Sequence, residues 1–154
     1  MNKIAQLYST LFFIGYIKPA SGTFGTFFSI LIIFPLIKFI SIFNLIIIFT
    51  ILFILGMIMI SIYSKDKDHD SSEIVIDEFL GVFFIMLFYK HIDISSDLIL
   101  NILIFFLFRF FDILKPFPAR WIDQKITNSF GVIMDDIIAG IYCIITLMFT
   151  NVLF

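Results

Sequence analysis

Two long apolar runs, SIFNLIIIFTILFILGMIMISIY at 41–63 and DLILNILIFFLFRFFDIL at 97–114, restrict this chain to very few folds. Each is close to the roughly 20 residues that a helix needs to cross a bilayer. Inside hydrocarbon every backbone polar group must be satisfied by the chain itself, so only helices or a closed barrel are available. The alternating segments of about ten residues that mark a barrel are not seen. A water-facing fold is excluded as well, because 61% of residues are hydrophobic, 14% are charged and 23 are Phe, too few polar groups to clothe a surface. The expectation is an all-α, polytopic integral membrane bundle, one domain over 1–154, with four to five spanning helices and a short N-terminal interfacial helix.

Hydrophobic periodicity and breaker residues place helices at about 4–16, 24–40, 42–64, 74–90, 98–114 and 132–152. Ser21 or Thr23 is expected to cap the second and Ser72 the fourth, Pro35 to kink or shorten the second, and Pro116 and Pro118 to close the fifth. The first segment loosely imitates a signal peptide, but Gln6, Ser9, Thr10 and Gly15 dilute its apolar region, so a retained interfacial helix is expected. Lys and Arg in the loops bias their side of the membrane towards the cytoplasm. If the last five helices cross, Lys3, Lys18, Lys65, Lys67, Lys115, Arg120 and Lys125 share one face, against Lys38 and Lys90 on the other, seven to two. That face, the cytoplasmic one, also receives four polar tracts.

Those tracts hold seven ionisable residues at or near apolar segments: Asp77 and Glu78 in SEIVIDEFLG, Arg109, Asp112 and Lys115 in RFFDILKPFPARW, and Asp135 and Asp136 in SFGVIMDDIIAG. A charge at mid-bilayer costs about 2.5–3.5 kcal/mol even on a lenient scale, so such residues are functional candidates. Each acidic pair is expected in the first turn of a helix, where the helix dipole alone would favour it. Two such pairs at one face would repel unless a cation joined them, and a hard divalent ion such as Mg²⁺ suits carboxylates, waters and phosphate oxygens. Arg109, Asp112 and Lys115 are spaced i, i+3, i+6 near one helical face. They either neutralise one another at a helix end or clamp phosphate, Arg as a fork and Lys as a point charge. KPASGTFGT supplies Ser21, Gly22, Thr23, Gly25 and Thr26 ahead of a helix, either an anion seat or a capped turn, and it lacks the spacing of a nucleotide-binding loop.

Other chemistries fall away. DKDHDSSE alternates Asp66, Asp68 and Asp70 as a calcium loop does, but Ser71 stands where Gly is needed and Asp77 where the bidentate Glu is needed. His69 and His91 belong to loops on opposite faces, which excludes a two-histidine site, and no Ser-His-Asp or Cys-His arrangement is available. Cys143, the single cysteine, reads as a packing residue. No clustered basic face suggests nucleic acid. A small transporter would spread its charges through the bilayer depth. A non-catalytic lipid-binding subunit is the remaining rival.

The Gly-Thr turn, IVIDEFLG, RFFDILKPFPARWID and GVIMDDIIAG, in that order from about Lys18 to Tyr142, resemble the phosphatidylglycerophosphatase A family. The resemblance implies an all-helical, Mg²⁺-dependent enzyme of the bacterial inner membrane that hydrolyses the phosphomonoester of phosphatidylglycerophosphate. On that reading Asp77, Glu78, Asp135 and Asp136 hold the metal, directly or through water. Asp77, Arg109, Asp112 and Lys115 are catalytic, and Ser21, Gly22, Thr23, Arg109 and Lys115 bind substrate. Water or a carboxylate, Asp77 or Asp135, is the nucleophile.

Overall fold

The computed structural model describes residues 2–66, 71–92, 94 and 96–153. All regular elements among them are helical: α1 (Lys3–Ser9), α2 (Ser21–Phe39), α3 (Ile42–Tyr63), α4 (Ile76–Leu87), α5 (Asp97–Leu114), α6 (Ala119–Lys125) and α7 (Ser129–Leu153), with 3₁₀ turns at Ile14–Tyr16, Ser64–Asp66 and Tyr89–His91. Lys67, Asp68, His69 and Asp70, half of the DKDHDSSE segment, lie outside the described residues.

Among the described residues three helices are long and apolar enough to cross a membrane: α2, α3 and residues Ser129–Phe149 of α7. Helix α5 has 18 residues but carries Asp97, Arg109 and Asp112. The spanning helix expected over 74–90 is corrected. Helix α4 has 12 residues, about 18 Å at the usual rise, against about 30 Å of hydrocarbon. Its start is delayed because the extended strip before it is used elsewhere: Val75 N–H donates to Ser9 O at 3.0 Å. Ten of its twelve residues are buried, as expected for a helix apolar nearly all round. Helix α4 is the centre of the bundle, with α2, α3, α5 and α7 around it.

The N-terminal helix is also shorter than expected. It stops at Ser9, and Leu11, Phe12 and Phe13 turn through positive φ of 45°, 55° and 70°. Thr10 drives the break, its hydroxyl donating to Gln6 O and accepting from Phe13 N–H. The turn then docks: a β-carbon on Gly15 would lie 1.9 Å from Glu73 O, and Tyr63 OH, 3.1 Å from Tyr16 OH, donates to Glu73 at 2.6 Å. Ser21 begins α2 rather than capping it, donating instead to Ser72 O at 2.6 Å, and Ser72 does not cap α4. Helix α2 continues through Pro35 to Phe39. Helix α5 does end where the prolines indicate, with Lys115 left-handed at φ 45° just before Pro116. The chain then forms α6, which is too short and too closely flanked by prolines to register as periodic.

Helices α2, α4 and α7 begin at the end where α3 and α5 finish. The opposite end is tied by Lys38 Nζ to Asp97 at 2.5 Å and by Tyr89 OH donating to Asp97 at 2.8 Å.

Candidate active site

Asp77 and Glu78 are the second and third residues of α4, where free N–H groups face outward; Glu78 N–H donates to Asp77 Oδ1 at 3.1 Å. Asp135 and Asp136 are placed differently from the expectation. Helix α7 starts at Ser129, three residues early, because Asn128 Oδ1 accepts from Gly131 N–H at 3.0 Å. The pair therefore lies about two turns inside the helix, and the helix dipole does not account for it. Two carboxylates at that depth need another explanation.

Glycines bring the acidic pairs together. Gly81 and Gly140 each follow an acidic residue, Asp77 and Asp136, by one helical turn. A β-carbon on Gly81 would meet the Phe108 ring at 2.7 Å and Asp136 O at 3.0 Å, and one on Gly140 would meet Gly81 O at 3.2 Å. Small residues thus let α4 and α7 cross closely, as in other membrane helix pairs. Carboxylate oxygens of Asp77, Glu78 and Asp136 fall within 4.8 Å of one another.

Arg109, from α5, reaches the same place. Its Nη1 pairs with Asp112 one turn along and lies 3.5 Å from Glu78 Oε1. Gly22 makes this possible, since a β-carbon there would lie 2.3 Å from Glu78 Oε1 and 2.8 Å from Arg109 Nη1. Lys115, turned inward by its left-handed backbone, donates to Asp135 and Asp123, each at 2.6 Å. Burial lowers its pKa, but the two carboxylates outweigh that and hold it above the usual lysine range, so it is a fixed cation at neutral pH.

All seven expected ionisable residues line one polar cavity of about 200 Å³, together with Ser21 and Gly22 of α2 and Ser71, Ser72 and Ile74 ahead of α4. Thr23, half-buried on α2, is not part of the lining. Glu78 Oε2 and Arg109 Nε are buried without hydrogen-bond partners. Both residues line the polar cavity, and buried charged atoms left without partners are costly.

A family model described as phosphatidylglycerophosphatase A matches residues 7–151 of the chain. The chain belongs to the phosphatidylglycerophosphatase A family. It is 41% identical over 133 residues to a phosphatidylglycerophosphatase A of Haemophilus influenzae, covering 85% of this chain and 78% of that one. A protein of the same name in Escherichia coli is 33% identical over 76 residues, 47% of this chain and 40% of that one. A putative phosphatidylinositol-3-phosphatase of Bacteroides thetaiotaomicron is 38% identical over 76 residues, covering 49% and 46%. No solved structure matches.

In this member of the phosphatidylglycerophosphatase A family the three gathered carboxylates suit a metal ion: hard oxygen donors, close together, one with an unpartnered oxygen. Asp135 is not among the three, because Lys115 holds it. Arg109 and Lys115 supply opposite charge beside them, and Asp112 pairs with Arg109. Asp123 and the Ser71–Ser72 backbone are the parts that sequence reading missed. Asp123 stands at the end of the RFFDILKPFPARWID tract, eight residues after Lys115, and only the turn into α6 brings it back.

Proposed function

We propose that the chain is a lipid phosphomonoesterase acting on phosphatidylglycerophosphate, releasing phosphatidylglycerol and inorganic phosphate. The observation carrying this reading is the single cavity lined by all seven candidate ionisable residues, Asp77, Glu78, Arg109, Asp112, Lys115, Asp135 and Asp136, in a chain of this family. The names of the Haemophilus and Escherichia relatives point to the same lipid. Asp77, Glu78 and Asp136 would hold Mg²⁺, with Asp135 reaching it through water. When bound, the ion supplies Lewis-acid stabilisation of charge on phosphoryl oxygens.

Arg109 binds the phosphoryl group through its guanidinium, with Asp112 fixing the guanidinium plane. Lys115 adds a second positive charge to the cavity, its ammonium held by Asp123 and Asp135. Electrostatic positioning of this kind carries most of the catalysis in phosphoryl transfer. Ser21 and Gly22 form the wall on which the headgroup rests. Hydrolysis adds one water across the P–O bond: its oxygen goes to phosphorus, and a proton returns to the glycerol oxygen that leaves.

Helix α5 would cross as a fourth span, with its charged end at the cavity, while α4 stays enclosed by its neighbours. Lys3, Lys18, Lys65, Lys115, Arg120 and Lys125 lie towards the site end of the chain's path, which by the loop-charge rule faces the cytoplasm. In a bacterium that membrane is the inner one. The substrate question is tested by phosphate release from phosphatidylglycerophosphate, phosphatidic acid, a phosphatidylinositol phosphate and a soluble phosphomonoester, in the same micelles with Mg²⁺. Preference for the first is expected. Equal or better turnover of the inositol lipid would replace the substrate, and turnover of none would remove the reading.

A further inference from the structure

Helices α2 and α5, which bring Gly22 and Arg109 to the cavity, leave a second hollow between them further along. It is an apolar groove of about 540 Å³ whose walls include Phe27, Leu31 and Phe34 on α2 and Leu98, Ile102 and Phe105 on α5. Phe27, Leu31, Leu98 and Ile102 are exposed, so the groove opens sideways, towards the place a surrounding lipid would occupy. At 1.5 Å per residue Phe105 lies about 6 Å beyond Arg109 and Leu98 about 16 Å, while Phe27 and Phe34 lie about 8 Å and 18 Å beyond Gly22. On both helices the groove therefore starts one to two turns past the residues that line the polar cavity, Gly22 and Arg109. It ends roughly where one leaflet of a hydrocarbon core about 30 Å thick would end.

The geometry points to an acyl-chain site: the groove seats one fatty-acyl chain of the lipid whose phosphomonoester enters the polar cavity. This rests on the lipid phosphatase reading above and adds where the tail lies. A bilayer tail is as apolar as a leucine side chain, so the groove adds no hydrophobic driving force. Its contribution is positional, converting a diffusing headgroup into one held within reach of Arg109 and Lys115. One lining atom is out of character: Asn101 Oδ1 is buried without a partner, and a methylene chain gives it none. The amide of a second copy would, but the lining contains no Gly, Ala, Ser or Thr, the residues that let membrane helices approach. An acyl chain fits a deep hollow with bulky walls better than another helix does.

The test uses a photoactivatable acyl chain carried either on a phosphonate analogue of phosphatidylglycerophosphate, which is not hydrolysed, or on phosphatidylcholine, with the full chain in bilayers. Enriched labelling of residues 27–34 and 98–105 by the phosphonate, displaced by unlabelled phosphonate, is expected. Uniform labelling of all lipid-facing helices by both lipids would overturn the site. Ile102→Trp should lower the ratio of kcat/KM for dipalmitoyl over short-chain substrate roughly tenfold, whereas Ile51→Trp on the lipid-facing side of α3 should not. An unchanged ratio in Ile102→Trp also overturns it. Efficient disulfide-linked dimers of Asn101→Cys, made with Cys143→Ser, would assign the groove to an interface between copies instead. Phosphate release by the wild type, measured alongside, separates failure of the groove from failure of the lipid phosphatase reading.

Discussion

Gly22 has no room for a side chain, since a single methyl there would press on both Glu78 Oε1 and Arg109 Nη1. Gly22→Ala should therefore lower kcat/KM about a hundredfold by displacing Arg109, with the protein still folded by circular dichroism. Wild-type kinetics in that variant would mean that Arg109 does not act where it is placed. Arg109→Lys should lose nearly as much, because an ammonium cannot reproduce the fork that faces both Asp112 and the cavity. Full activity in the lysine variant would reduce Arg109 to a neutralising charge. At this scale much could be read from the sequence. The seven charged residues stood out because each is expensive in so apolar a chain, and all seven share the cavity. What could not be read was the division among them. That Asp135 is held by Lys115 while Asp136 joins Asp77 and Glu78 depends on the phase of α7, which Asn128 sets by capping three residues early.

Among elements, α4 and α7 decide the geometry, and their glycines are the point of contact. Gly81→Ala would force a β-carbon against the Phe108 ring and the Asp136 carbonyl, an overpacking that typically costs about 1–3 kcal/mol. A lower thermal midpoint in detergent together with reduced turnover is expected; an unchanged midpoint would mean that the crossing is looser than described. Helix ends were the least legible part of the sequence. Apart from Asp77 and Glu78 the stretch from 74 to 89 is apolar, so nothing local reports that Val75 is engaged by Ser9 and that α4 is short. The break after Ser9 is made locally by Thr10 and held by the docking of Gly15 and Tyr16. By contrast, Ser41 and Ser96 accept hydrogen bonds from the first turns of α3 and α5, and those starts match the sequence expectation to within a residue.

For the whole molecule, the arrangement predicts a protein with its chemistry at one end and the Lys38–Asp97–Tyr89 cluster at the other. With Cys143→Ser as background, a thiol at Lys125→Cys should react with a membrane-impermeant reagent only in inside-out vesicles, and one at Lys90→Cys only in intact cells whose outer barrier is opened. The opposite pattern would place the cavity on the outer face. Three carboxylates from α4 and α7 holding a divalent ion beside a phosphate clamp would make turnover depend on that ion and on Asp136 alike. Purified wild type and Asp136→Asn are compared for phosphate release from phosphatidylglycerophosphate, with Mg²⁺ and with EDTA. Release by the wild type in Mg²⁺ alone, and loss of more than about a hundredfold in a folded Asp136→Asn, is the expected result. Release that persists in EDTA, or wild-type turnover by Asp136→Asn, would contradict it.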